Sequence, residues 1–142
     1  MSGLNRFDGY NFKIFRHNVN DTNSINDNFI ISIFDDPDKN IWINTRQGFT
    51  IYNPFKERFY RNPNSYTKKY NIPFDANTII KIIKDKKQRY WFISSQYGIY
   101  LYSSNKKLHL KSDIKDLNTL SSDFISDAKL TKEGNLWIIS NT

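Results

Sequence analysis

The chain has 142 residues, about the size of one ordinary domain, with 21 Lys+Arg against 14 Asp+Glu for a net charge of +7. Aromatic residues make up 16%, which argues against disorder because buried rings offset chain entropy. The absence of cysteine excludes disulfide frameworks, thiolate metal sites and cysteine nucleophiles, and apolar runs of only four residues, such as Tyr90–Ile93, exclude a transmembrane helix, which needs roughly 20.

In chain order, Met1 through Asp8 has no apolar core and no small-residue cleavage site, so it does not read as a signal peptide. The spacing instead predicts a strand after Gly3, a two-residue turn at Asp8-Gly9, and an outer partner strand Phe12-Lys13-Ile14-Phe15. Four strands follow at 29–35, 40–45, 48–53 and about 57–61. Arg61 to Ala76 reads as a long, exposed, aromatic loop. Four more strands are predicted at 78–84, 89–95, 97–103 and 106–111. Of these, Ile79-Ile80-Lys81-Ile82-Ile83 is apolar at nearly every position, as expected of a strand buried on both faces. Two last strands flank the turn Glu133-Gly134-Asn135. No stretch of 10 or more residues carries the 3.6-residue period of an amphipathic helix.

The strands repeat. Trp42, Trp91 and Trp137 are spaced 49 and 46 apart, a period of propeller blades and some helical arrays. Laid on these tryptophans, Phe29–Trp42, Thr78–Trp91 and Phe124–Trp137 align without gaps, with Ile at 30, 79 and 125. Each tryptophan follows a polar turn and precedes apolar residues and a small polar one. Gly48 and Gly98 follow the first two, each leading a strand that ends in tyrosine. We read an all-β fold of four-stranded antiparallel β-propeller blades. Residues 1–16 are the last two strands of one blade, 28–61 and 77–111 are full blades, and 123–142 are the first two strands of another. That makes about three blade-equivalents, an incomplete propeller, where closure takes typically ~4–8. Open strand edges are a pairing liability, so we expect a fragment of a longer protein or edges capped in trans.

The pattern resembles the two-component regulator propeller repeats. The matching residues are Asn40-Ile41-Trp42-Ile43-Asn44-Thr45, Gly134-Asn135-Leu136-Trp137-Ile138 and Gly3-Leu4-Asn5-Arg6-Phe7-Asp8-Gly9, and His17 through Ile30 resembles the linker between blades in that family. Asn44, Ser94 and Ser140 are read at the family's common glycine, and Arg89-Tyr90 replaces Asn-Leu. The resemblance implies the extracytoplasmic, periplasmic sensor of a bacterial hybrid two-component regulator, with ligands that are commonly glycan breakdown products. It implies ligand sensing or dimer scaffolding by population shift rather than phosphotransfer. The expected partners are an oligosaccharide and either further blades or a second copy, whose half-blades would complete a six-bladed ring. No nucleic acid and no membrane contact by this segment are expected.

Candidate sites are sparse. The tryptophans are expected to pack between blades. Asp36, Asp38 and Asn40 have the spacing of early calcium-loop ligands, but position 47 is Gln, so the stretch reads as a polar hairpin turn. His17 and His109 lack a second His or a Cys for a metal set. No Gly-x-Ser-x-Gly elbow or phosphate-binding glycine loop is present, so no enzyme activity, metal or cofactor is expected. A propeller enzyme would need clustered carboxylates, for which Asp35, Asp36 and Asp85 are the candidates. Residues 1–71 hold 10 basic and 7 acidic side chains and residues 72–142 hold 11 and 7, so the positive charge is spread along the chain. Its densest run, Lys81 to Arg89, reads as a solvated basic face. The ligand candidates are Tyr66, Lys68, Lys69 and Tyr70, on the Arg61–Ala76 loop.

Overall fold

Antiparallel strands form where short runs of Ile, Phe, Tyr and Trp alternate with polar turns, because such residues fit a pleated, half-buried surface. The computed structural model describes residues 3–141. Met1, Ser2 and Thr142, at the outer ends of the expected half-blades 1–16 and 123–142, lie outside the described residues. The chain divides into two units, residues 1–66 and 67–142, each with its own core.

In the first unit β1 (Leu4–Phe7) pairs with β2 (Phe12–Phe15). A four-stranded sheet follows in the order β3 (Ile30–Asp35), β4 (Ile41–Thr45), β5 (Gly48–Asn53) and β6 (Arg58–Tyr60). On one face Ile25, Ile43, Tyr52 and Phe59 form a core that Leu4 and Phe15 cover, so the two-stranded sheet packs on the four-stranded one. On the other face Trp42 is fully buried among the rings of Phe34, Phe49 and Tyr66. The first hairpin is wider than predicted. Phe7 pairs with Phe12, leaving a four-residue loop in place of a two-residue turn at Asp8-Gly9. The Asp8 carboxylate accepts the backbone N–H groups of Tyr10 and Asn11 at 2.9 and 2.8 Å, and this local alternative sets the longer turn.

Between the sheets the expected open loop is partly helical. Pro63–Thr67 forms a short helix, α1, and Lys68–Tyr70 and Ala76–Thr78 form single 3-10 turns. In the second unit the sheet order is β7 (Ile79–Lys84), β8 (Tyr90–Ser94), β9 (Ile99–Tyr102) and β10 (Lys107–Leu110). A further pair, β11 (Ile125–Leu130) and β12 (Leu136–Ser140), closes the described residues. Ile93, Ile99, Ile125 and Ala128 make the core, flanked by Leu120 and Ile138.

The strands β3, β7 and β11, each the first of its sheet, carry the same irregularity, a register shift at Ile30/Ser32, Ile79/Lys81 and Ile125/Asp127. This register also corrects the alignment of the small residues after tryptophan. Thr45, Ser94 and Ser140 pair with Ile30, Ile79 and Ile125, so Ser94 and Ser140 stand at the position of Thr45 and not of Asn44. The hydroxyl has a use there. Thr45 Oγ1 donates to the Gly48 carbonyl at 2.8 Å and accepts Gln47 N–H, and Ser94 Oγ accepts the N–H groups of Gln96 and Tyr97, both at 3.1 Å.

Candidate functional site

The polar turn before each tryptophan has one geometry three times. The N–H of Asp36, Asp85 or Thr131 donates to the carbonyl four residues on (Asn40, Arg89 or Asn135) at 2.9–3.0 Å. Lys39, Gln88 and Gly134 each donate back and each has positive φ, at 65°, 61° and 94°. Only the third copy uses glycine, the residue with no steric cost there.

This turn aims a carboxylate at the indole. Asp36 Oδ2 accepts Trp42 Nε1–H at 2.9 Å, and also accepts Asn40 Nδ2 at 2.9 Å. Asp85 Oδ2 accepts Trp91 Nε1–H at 2.9 Å and Arg89 Nε at 2.6 Å. Burial works to raise the Asp85 carboxyl, but the Trp91 indole and the Arg89 backbone and guanidinium together hold it below the usual 3.8. The candidate carboxylates Asp36 and Asp85 are therefore each held on their own tryptophan. Asp38, the middle residue of the calcium-like spacing, accepts the Tyr66 hydroxyl at 2.6 Å. Among the described residues no three His, Asp or Glu come together as a metal set. The third copy departs from this arrangement. Thr131 stands where the aspartates do, and Trp137 is 69% exposed on β12, so its expected packing between blades is not made among the described residues.

The four ligand candidates part company. Tyr70 is buried against Tyr90, Phe92 and Tyr102, with centroids 4.9–5.1 Å away, and Tyr66 sets its ring edge-on to Trp42 at 5.5 Å. Both tyrosines close the sheets, correcting the expectation of an exposed aromatic loop. Lys68 and Lys69 remain at the surface, the Lys69 amine 4.8 Å from the Tyr70 ring centroid. Gly98, at φ +74°, is required by close approach: a Cβ there would lie 2.3 Å from the Leu110 carbonyl oxygen. Gly48 has φ +92° in the equivalent turn.

The remaining polar candidates make hydrogen bonds and ion pairs of their own. His17 Nδ1 lies 2.8 Å from the Ile25 carbonyl oxygen and His109 Nε2 2.6 Å from that of Tyr97. In the basic run, Lys81 binds Asp127 and the Ala128 carbonyl, Lys86 donates to the Lys132 carbonyl at 2.8 Å, and Arg89 holds Asp85. Lys81 lowers the Asp127 carboxyl from its usual value, chiefly through their hydrogen bond.

Sequence reasoning missed a second repeat, in the linkers. In Asn18–Ile25 the Ser24 hydroxyl accepts Asn18 N–H at 2.8 Å and donates to the Asp21 carbonyl at 2.9 Å, tying the segment into a knot. The Arg61 guanidinium grips it, Nε on the Ser24 carbonyl at 2.9 Å and Nη2 on the Asp21 carbonyl at 2.9 Å and Ser24 Oγ at 2.7 Å. Asp113–Leu120 ties the same knot through Thr119. The signal was available as Asn/Asp-x-x-Asp-x-Asn-Ser/Thr ahead of both Ile30 and Ile125.

The family model of the two component regulator propeller matches residues 24–47, from this knot to the end of the first tryptophan hairpin. No curated protein sequence matches the chain. Among solved structures the chain is similar to the extracellular domain of a protein described as a hybrid two component system of B. thetaiotaomicron. The identity is 18% and the TM-score 0.56, over 96% of this chain and 23% of that one. Another extracellular domain from that organism, described in the same terms, aligns at 16% identity and TM-score 0.48, over 91% and 22% of the two chains. The chain thus spans about a quarter of the length of these domains. It has the all-β fold of β-propeller blades, and its residues 24–47 are similar to a two component regulator propeller repeat.

Proposed function

We propose that the chain is part of the extracytoplasmic sensor propeller of a hybrid two-component signalling protein, where it helps present a glycan-derived ligand and passes on the resulting shift in arrangement. One observation carries this reading: the matched repeat is the same turn–tryptophan unit that builds the sheets, and its aspartates are committed to indoles rather than to a reacting group. Well-packed sheets suit recognition by surface loops, with specificity outside the core. Within this chain the exposed Lys68 and Lys69 are the ligand contacts of this reading, suited to acidic oligosaccharides. Two tests apply. The reading frame that encodes the chain should continue into a membrane helix and a histidine kinase; an unrelated frame on both sides contradicts the reading. A glycan array with uronic-acid and neutral oligosaccharides should show saturable binding that Lys68→Ala and Lys69→Ala weaken without a loss of melting temperature.

A second reading is favoured by the free strand edges. Among the described residues β1 pairs only with β2 and β12 only with β11. The exposed Phe7, Phe12, Trp137 and Ile139 lie on those pairs. A second copy could join β12 to β1, making a four-stranded blade of the kind built by β3–β6 and β7–β10. Light scattering that reports a dimer supports this reading; a stable monomer across the micromolar range rules it out.

A further inference from the structure

The linker knot is tied twice, and one copy shows what it holds. In the first, Arg61 follows β6, the fourth strand of the sheet into which Asn18–Ile25 leads, and reaches back into the fan of carbonyls. Two longer bonds complete the fork, from Nη2 to the carbonyls of Asn18 at 3.3 Å and Ile25 at 3.4 Å. In the second knot the same framework bonds recur, and the Thr119 N–H adds one to the Asp116 carbonyl at 3.2 Å. Thr119 Oγ1 accepts Asp113 N–H at 2.9 Å and donates to the Asp116 carbonyl at 2.8 Å. Asp116 N–H donates to the Asp113 carbonyl at 3.0 Å, as Asp21 N–H does to that of Asn18 at 3.2 Å. Asp113 and Asp116 each accept the backbone N–H two residues on, at 2.9 Å, as Asn18 and Asp21 do. Among the described residues no side chain from another element donates to the carbonyls of Asp113, Asp116, Thr119 or Leu120.

We propose that the Asp113–Leu120 knot is a receptor for an arginine guanidinium, delivered by a β-hairpin that adds to the outer edge of β12. The second knot leads into β11 and β12 as the first leads into β3 and β4, so a hairpin paired to β12 as β5 and β6 follow on β4 would carry its next residue to this knot as they carry Arg61 to the first. Three further observations fit that occupant. Asp113 replaces Asn18, so this knot carries two carboxylates where the first has only Asp21. A hollow of about 500 Å³ lies over it, lined by Asp113, Ile114, Asp116, Leu117, Thr119 and Leu120. Ile114 and Leu117 stand 98% and 99% exposed at its rim, placed to cover the methylene stem of a long cationic side chain. A planar fork of five donors matches several carbonyls at fixed spacing, which a lysine ammonium does not. The proposal does not depend on a sensing role.

The test is amide NMR of the full chain titrated with ethylguanidinium to about 100 mM, a range in which a few charge-assisted hydrogen bonds approach saturation. Saturable shifts should appear at residues 113–120, and ethylammonium should produce none that saturate. Asp113→Asn keeps the turn but removes one carboxylate, and should weaken binding roughly threefold, the size of one exposed charge. In Arg61→Ala, residues 18–25 should respond to ethylguanidinium in the same way. A response at 18–25 with none at 113–120 overturns the proposal, as do equal shifts with ethylammonium or no saturable shift at 113–120 in the unmodified chain.

Discussion

A carboxylate and an indole six residues apart set the chemistry of each complete sheet. Trp42 is fully buried, so Asp36→Ala would strand its N–H and the Asn40 amide without an acceptor. The expected loss is about 2–3 kcal/mol, read by urea denaturation. Asp85→Ala should cost less, about 1–2 kcal/mol, because Trp91 is only half-buried. The lowered Asp85 carboxyl also gives a pH dependence. The folded state binds this proton less tightly than the unfolded one. Its contribution is therefore complete above the ordinary value of 3.8 and is lost as pH falls through the lower folded value. Asp85→Asn should flatten the acid limb of a stability–pH curve, and an unchanged limb would show that Asp85 does not set it. Lys39 and Gln88 hold the positive-φ position that Gly134 fills in the third turn. Glycine at either site should stabilise the fold by about 0.5–1 kcal/mol in the same denaturation assay.

Strands, turns and linkers differ in how plainly they were written. Strand positions were legible because Ile, Phe and Tyr runs alternate with turn residues, and the tryptophan period placed three hairpins at once. The helix at Pro63–Thr67 was not legible: five residues carry no period, and Tyr66 and Tyr70 are folded back by ring contacts rather than local propensity. Nor was the width of the Asp8 turn, which one carboxylate decides. The linker knots hide because their information is polar and short, and because Arg61, which holds the first, lies 36 or more residues away in sequence. Gly98→Ala should be among the most disruptive single changes, since the added Cβ meets backbone and the φ is strained. We expect a loss of more than about 2 kcal/mol or failure to fold, measured by thermal melting.

On the scale of the molecule, the described residues form four antiparallel sheets in two units, each with its own core. The repeat is honoured in backbone register and relaxed in side chains. Three copies share the bulge and the turn, two share the carboxylate, and the third has Thr131 beneath an exposed Trp137. Two of the three aspartates that sequence alone leaves open to catalysis, Asp36 and Asp85, are indole acceptors in this graded repeat. Hydrogen exchange at the three indole N–H groups, followed by NMR on the monomeric chain, tests this most directly. Trp42 and Trp91 should be protected at least about tenfold over Trp137, each by its aspartate. Three indoles exchanging at one rate, or Trp137 as the most protected, would contradict the account.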